Sequence, residues 1–333
     1  MIVKHEIIPF NDFWLDCDTE IMYSILTSID ERFRVLAYRN DYTYMKLSAL
    51  TPHHIAFNEI RMLPDISNLR NKYIHYIEMK KNQDISQGIG QIRQYLLGGY
   101  YVMVGVDLYD WVPENMCFQK HHVEHYTLLN GYDSDKKLFY TMETDHEKYR
   151  EFQVKEETLA NAMESVSTLK YHVIVFEISE KLMNDNELYS MKELRNNAKL
   201  IVRSIRSLKG HEYWVFHPMD YQKLFYRDMT VMYLMQINCR MKANVLLFAH
   251  LSEEKSEIYR ELEMKAKELE SGWIEVRRAI SKLYFKQDAG QRMIEQNATI
   301  QVLLSRECIM WKRFLQITKR DKKICIEKNN NEK

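Results

Sequence analysis

The sequence predicts an α+β protein, with a helix packed on a mostly antiparallel sheet followed by an α-helical bundle domain. Three observations predict it. Six of the nine glycines lie between Gly88 and Gly131, and four of the five prolines precede residue 120. Such spacing breaks the first half into short elements, whereas Gly210, Pro218, Gly272 and Gly290 alone punctuate the rest. The first half also carries near-continuous apolar runs of strand length, YYVMVGVDL at 100–108 and KYHVIVFEI at 170–178. The second half carries apolar residues at helical spacing over long segments. A boundary near 178–184 gives domains at 1–180 and 181–318. The polar tail at 319–333 is expected to be disordered.

Composition is globular, 46% apolar and 28% charged, with zero formal net charge. Zero net charge argues against a general nucleic-acid binder, which would be basic. No run of about 18 apolar residues exists, so no membrane span is expected, and the first residues lack the apolar core of a signal peptide. Cys17, Cys117, Cys239, Cys308 and Cys325 are odd in number, scattered and without a CxxC pair. That pattern fits reduced thiols in a cytoplasmic protein, with neither a disulfide framework nor a metal site expected.

In chain order, Ile21, Ile25 and Ile29 recur every four residues and predict a helix from Asp18 onward, with Asp16 or Asp18 as its cap. Segments 34–38, 42–50 and 72–79 are strand candidates. A short helix is expected at 85–97, then the strand at 100–108, a loop, and a hairpin at 121–145. A helix at 156–164 and the strand at 170–178 close the first half. Helices follow at 186–207 with Gly210 as a stop, at 221–250, at 252–285 with Ser252 as N-cap, and at 291–317. Met229, Met232, Met235 and Met241 read as core filling rather than a ligand groove.

The hairpin HHVEHYTLLNGYDSDKKLFYTMETD carries candidate chemistry. Residues 123–130 form one strand, Gly131 to Asp135 supply the turn, and residues 138–143 return. A turn centred on Ser134 places His125 directly opposite Glu143, where side chains lie about 5 Å apart at Cβ. A histidine beside a carboxylate is the base-and-orienter half of a catalytic triad. Cys17, at or just before a helix N-terminus, is the nucleophile candidate, because the positive end of a helix favours thiolate.

The order Cys17, His125, Glu143 is the chain order of papain-like cysteine enzymes. DCDTEIMYSIL resembles the cysteine helix of the bacteriocin-processing, double-glycine peptidase clan. HYTLLNGYD resembles its histidine strand, with His125 six residues before Gly131. Within that clan the run ending VGVDLYDW, the His-rich segment and LFYTME make residues 10–160 most similar to butirosin biosynthesis protein H-like N-terminal domains, which also carry a helical C-terminal half.

The resemblance implies a papain-like domain with Cys17 as nucleophile, His125 as general base and Glu143 where relatives have Asp, with Asp145 as the alternative acid. Asn11 occupies the place of the clan's oxyanion glutamine, and the Cys17 N–H is a second donor. Asp18 replaces the clan's glycine and sets a negative charge beside the nucleophile. His121 and His122 lie outside the motif. The activity implied is acyl transfer in natural-product biosynthesis. An acyl group passes from the phosphopantetheine thioester of an acyl or peptidyl carrier protein to a small amine acceptor, with no separate cofactor. The helical half is expected to cover the site, bind the carrier protein or form a homodimer. The alternatives are a thioesterase or cysteine peptidase using the same pair, or a catalytically inert papain-like module that binds a carrier protein or synthetase.

Overall fold

A computed structural model describes residues 1–14, 16–50, 56–65, 67–81, 84–145, 148–169, 172–185, 188–208, 224–283 and 289–331. The elements in order are β1 (Ile2–Lys4), α1 (Cys17–Ile29), α2 (Arg34–Tyr38), β2 (Tyr42–Leu50), β3 (Ala56–Pro64), α3 (Ser67–Tyr73), β4 (Ile74–Lys81), α4 (Ile85–Leu97), β5 (Tyr101–Asp107), β6 (Glu124–Asp133), β7 (Leu138–Thr144), β8 (Tyr149–Lys155), α5 (Glu156–Glu164), β9 (His172–Ile178), α6 (Glu180–Met183), α7 (Met191–Ser207), α8 (Leu224–Glu254), α9 (Arg260–Leu283) and α10 (Ala289–Asn331). The chain divides into two compact units, Met1–Arg34 with Ile66–Asn186, and Val35–Asp65 with Glu187–Lys333.

The first unit is built on one sheet in the order β4-β9-β5-β6-β7-β8, with β1 paired to the far end of β6. Every pairing in it is antiparallel. Alternation sends successive side chains to opposite faces, and both faces are covered. On one, Ile21 and Ile25 of α1 pack on Met103, Leu128 and Met142. On the other, Ile89, Ile92 and Leu96 of α4 and Leu159 and Met163 of α5 bury Val102, Val104 and Val106. This two-sided cover explains why β5 reads as a continuous apolar run. α4 starts at Asp84, whose carboxylate accepts from the Gln87 N–H at 2.7 Å. It ends at Gly98-Gly99, where Gly99 takes φ +84°, a conformation suited to glycine.

The second unit is a helical bundle to which the hairpin β2–β3 belongs. The sequence suggested that residues 1–180 stay together, yet the hairpin's contacts lie far along the chain. Tyr42 and Tyr44 donate to the buried carboxylate of Glu307 on α10 at 2.5 and 2.7 Å. Asn244 of α8 and Trp311 of α10 each donate to the Tyr42 hydroxyl at 3.0 Å. Segment 34–38, expected as a strand, is α2. Its buried Val35, Leu36 and Ala37 form an apolar run too short to separate the two periods.

Ser252 lies buried inside α8 rather than capping a helix, and Ser256 caps the next turn by accepting from the Ile258 N–H. α10 continues to Asn331, so residues 319–331 of the segment expected to be a disordered tail extend a helix. Met241 is buried in the bundle and Met235 is half-buried. Gly210, Pro218 and the side chains of Met229 and Met232 lie outside the described residues. No helix among the described residues is long and apolar enough to cross a membrane.

Candidate active site

Cys17 is the first residue of α1. Asp16 precedes it as N-cap and accepts from the Thr19 N–H at 2.8 Å, while the Thr19 hydroxyl accepts from the Asp16 N–H at 3.2 Å. This reciprocal capping fixes the start of the helix and leaves Cys17 where the first amides have no acceptor within the helix. Its sulfur lies 3.0 Å from His125 Nδ1. On the other side of the ring, His125 Nε2 lies 2.8 Å from Glu143 Oε2. The three sequence candidates thus form one continuous line from sulfur to carboxylate.

The register of β6 and β7 differs from the expected hairpin. Asp133 pairs with Leu138 at the turn, and a bulge between Leu129 and Gly131 shifts the remainder, so that Leu128 faces Met142. Continuing that alternation sets Thr127, not His125, opposite Glu143. The two hydroxyls of Thr127 and Thr141 meet at 3.0 Å on the same face. His125 therefore reaches Glu143 along a diagonal, a separation of about 7–8 Å between backbone positions that long side chains can bridge. Glutamate's extra methylene supplies that reach.

Glu143 is 1% exposed, and its second oxygen is held by its neighbours. Oε1 accepts from the Thr144 N–H at 2.8 Å and from Asn115 Nδ2 at 3.4 Å. Asn115 comes from the loop after β5 and also donates to the Thr144 carbonyl at 3.0 Å. These bonds turn Oε2 toward His125. Burial disfavours the charged imidazole, but Glu143 and the Cys17 sulfur more than offset it and hold the His125 pKa well above the usual histidine range.

The remaining sequence candidates are placed elsewhere. Asp145 accepts from the Lys148 N–H at 2.8 Å and pairs with Arg150 at 2.6 Å, while the two His125 ring nitrogens meet Cys17 and Glu143. Asn11 exchanges bonds with the main chain of Tyr149. Its Oδ1 accepts from the Tyr149 N–H at 3.0 Å and its Nδ2 donates to the Tyr149 carbonyl at 3.2 Å. Its amide thus clamps β8 instead of standing free for an oxyanion. Asp18 pairs with Arg70 of α3 at 2.9 Å, which balances the charge that the sequence placed beside Cys17. His122 pairs with buried Asp107 at 2.7 Å and stacks on Tyr109, apart from the Cys17 line.

Sequence reasoning missed Glu20. It is 6% exposed, one turn after Cys17, and lies close enough to Glu143 and His125 to feel their charges. Burial first, then the Glu143 charge, pushes its carboxyl up to about 8, so it is neutral at pH 7. Its i+3 spacing from Cys17 was the available signal. The Tyr149 hydroxyl is buried beside Glu20, Glu143 and Cys17 with no hydrogen-bond partner among the described residues. Among those residues no group of three or more His, Cys, Asp or Glu side chains is placed to hold a metal ion.

Comparison with protein-family profiles and with curated proteins finds no match to this chain.

Proposed function

We propose that the first unit is a papain-like cysteine acyltransferase, taking an acyl group from a carrier-protein thioester and passing it to an amine in natural-product biosynthesis. The single observation that carries the reading is the Cys17–His125–Glu143 line, at 3.0 and 2.8 Å, with the sulfur at a capped helix start. An alignment of nucleophile, base and orienter within hydrogen-bond reach is what covalent catalysis needs. The choice of transfer over hydrolysis, and of a carrier thioester as donor, rests on the resemblance of residues 10–160 to butirosin biosynthesis protein H-like domains.

His125 takes the proton of Cys17 as the sulfur attacks the thioester carbonyl. A new C–S bond forms, the old one breaks, and the departing phosphopantetheine thiol takes the proton from His125. The amine then attacks the acyl-cysteine. A C–N bond forms, His125 removes the amine proton, and the Cys17 sulfur leaves and regains it. Glu143 keeps the ring aligned and stabilises the imidazolium in both steps. The Cys17 N–H, in the first turn of α1, would serve as one donor to the oxyanion.

Intact-mass analysis after mixing with acyl-phosphopantetheine thioesters tests this. An acyl adduct on the wild type, absent in Cys17→Ala and slowed in His125→Ala, is expected, and added amines should discharge it. An adduct lost to water at the same rate with and without amines identifies a thioesterase instead. No adduct, with iodoacetamide also failing to label Cys17, leaves the inert binding module.

A further inference from the structure

The sheet face under α1 is not completely covered. Beside the helix lies a cavity of about 210 Å³, floored by Met103 of β5 and by Ile174 and Phe176 of β9. Met103 and Ile174 each keep 9% of their surface exposed, whereas Val102, Val104 and Val175 on the opposite face keep none. The opening therefore belongs to this face of the sheet.

Its position links it to the helix start that carries Cys17. One wall is Ile21, which stands four residues after Cys17 and so shares its side of the helix. Asp18, the residue after Cys17, and Tyr126, which packs with Met103 on the α1 face of the sheet, also line it. At the rim Asp18 is joined to Arg70 at 2.9 Å, so the two charges at the mouth balance.

Resting on the acyl-transfer reading above, we infer that this cavity receives the acyl group of the thioester, and that its chemistry selects an uncharged apolar chain or a single ring. The floor of Met103, Ile174 and Phe176 is apolar, Tyr76 and Tyr126 add ring surface beside it, and the charges of Asp18 and Arg70 at the rim are paired with each other. At ~30 Å³ for each water-sized group the space holds roughly seven heavy atoms, below the ~300–1,000 Å³ of sites for drug-sized ligands. Each methylene buried there should raise acylation efficiency about threefold to fourfold until the cavity is full.

The test is acylation of Cys17 by pantetheine thioesters of graded chain length, from acetyl upward, in wild type and in the cavity-filling variants Ile174→Phe and Ile74→Trp, Ile74 of β4 being a further lining residue. Iodoacetamide labelling of Cys17 reports on the nucleophile and fold of each variant. The expected result is a rising efficiency with chain length in the wild type. In variants that still label normally, the ratio of medium-chain to acetyl acylation should fall by tenfold or more. A wild type that is acylated with the same length profile as both variants overturns the cavity assignment and leaves the acyl-transfer reading standing. A wild type that labels with iodoacetamide but is acylated by no thioester overturns both.

Discussion

His125 Nε2 and Glu143 Oε2 meet at 2.8 Å although their residues are not paired across the β6–β7 hairpin. The contact depends on the length of glutamate. Glu143→Asp, shorter by one methylene, should lose it and slow Cys17 acylation by about tenfold or more. Glu143→Ala should slow it by about 10²–10⁴-fold, the range that base and orienter losses span. Stopped-time intact-mass measurement checks both, and an aspartate variant as fast as wild type would show that the diagonal reach is immaterial.

Glu20 gives the first unit a pH-dependent stability. Its folded pKa, about 8, lies above its ordinary 4.5, so the folded state holds this proton more tightly than the unfolded state. Its contribution is therefore complete below about pH 4.5, declines as pH rises toward 8, and is level above that. Glu20→Gln, which cannot ionise, should remove the decline. Its stability relative to wild type should rise between pH 5 and pH 8.5 by on the order of a few kcal/mol. Urea unfolding at three pH values reads this directly.

Gly131 is a motif glycine whose reason is steric. It pairs with Lys4 where β1 crosses the end of β6, and a Cβ there would stand 2.7 Å from the Val3 carbonyl oxygen and 2.8 Å from Lys4 Cα. Both are backbone atoms, so little can yield. Gly131→Ala should destabilise the protein by about 1–3 kcal/mol, as overpacked sites do. Deletion of residues 1–4 should remove most of that penalty in a double-mutant comparison of urea midpoints.

Glu307 organises the second unit by accepting from both Tyr42 and Tyr44. Burial pushes its carboxyl up to about 7. Glu307→Ala leaves two buried hydroxyls without their acceptor and should cost about 2–4 kcal/mol. Glu307→Gln retains one acceptor and should cost less. It should also flatten the loss of stability that the wild-type acid causes between about pH 4.5 and 7, by the same sign argument as for Glu20. Thermal unfolding of the two variants across that range is the check.

Much of the site was legible in the sequence because local periodicities carry it. Alternation along a strand put His125 and Glu143 on one face. The assumed register was displaced from the real one by two positions, which preserves the face, whereas a slip of one would have reversed it. Helical spacing and the Asp16 cap likewise put Cys17 at the start of α1. The bulge at Leu129/Gly131 was not legible, since β-bulges carry no reliable residue pattern here. Asn115 was hidden for a different reason. It lies in an irregular loop, where no period predicts that its amide will meet Glu143.

By itself the sequence determined the division into a strand-rich part and a helical part, the helix of Cys17, and the shared face of His125 and Glu143. These depend on neighbours a few residues apart, through backbone sterics and alternating polarity. Only the tertiary structure decided the rest. It moved Val35–Asp65 into the helical unit, because the partners of the Tyr42 and Tyr44 hydroxyls lie more than 200 residues away. It turned Asn11 to the backbone of Tyr149, paired Asp18 with Arg70, and kept the proton on Glu20 by burying it beside another carboxylate. Each depends on which distant groups share a low-dielectric interior, and local pattern does not encode that.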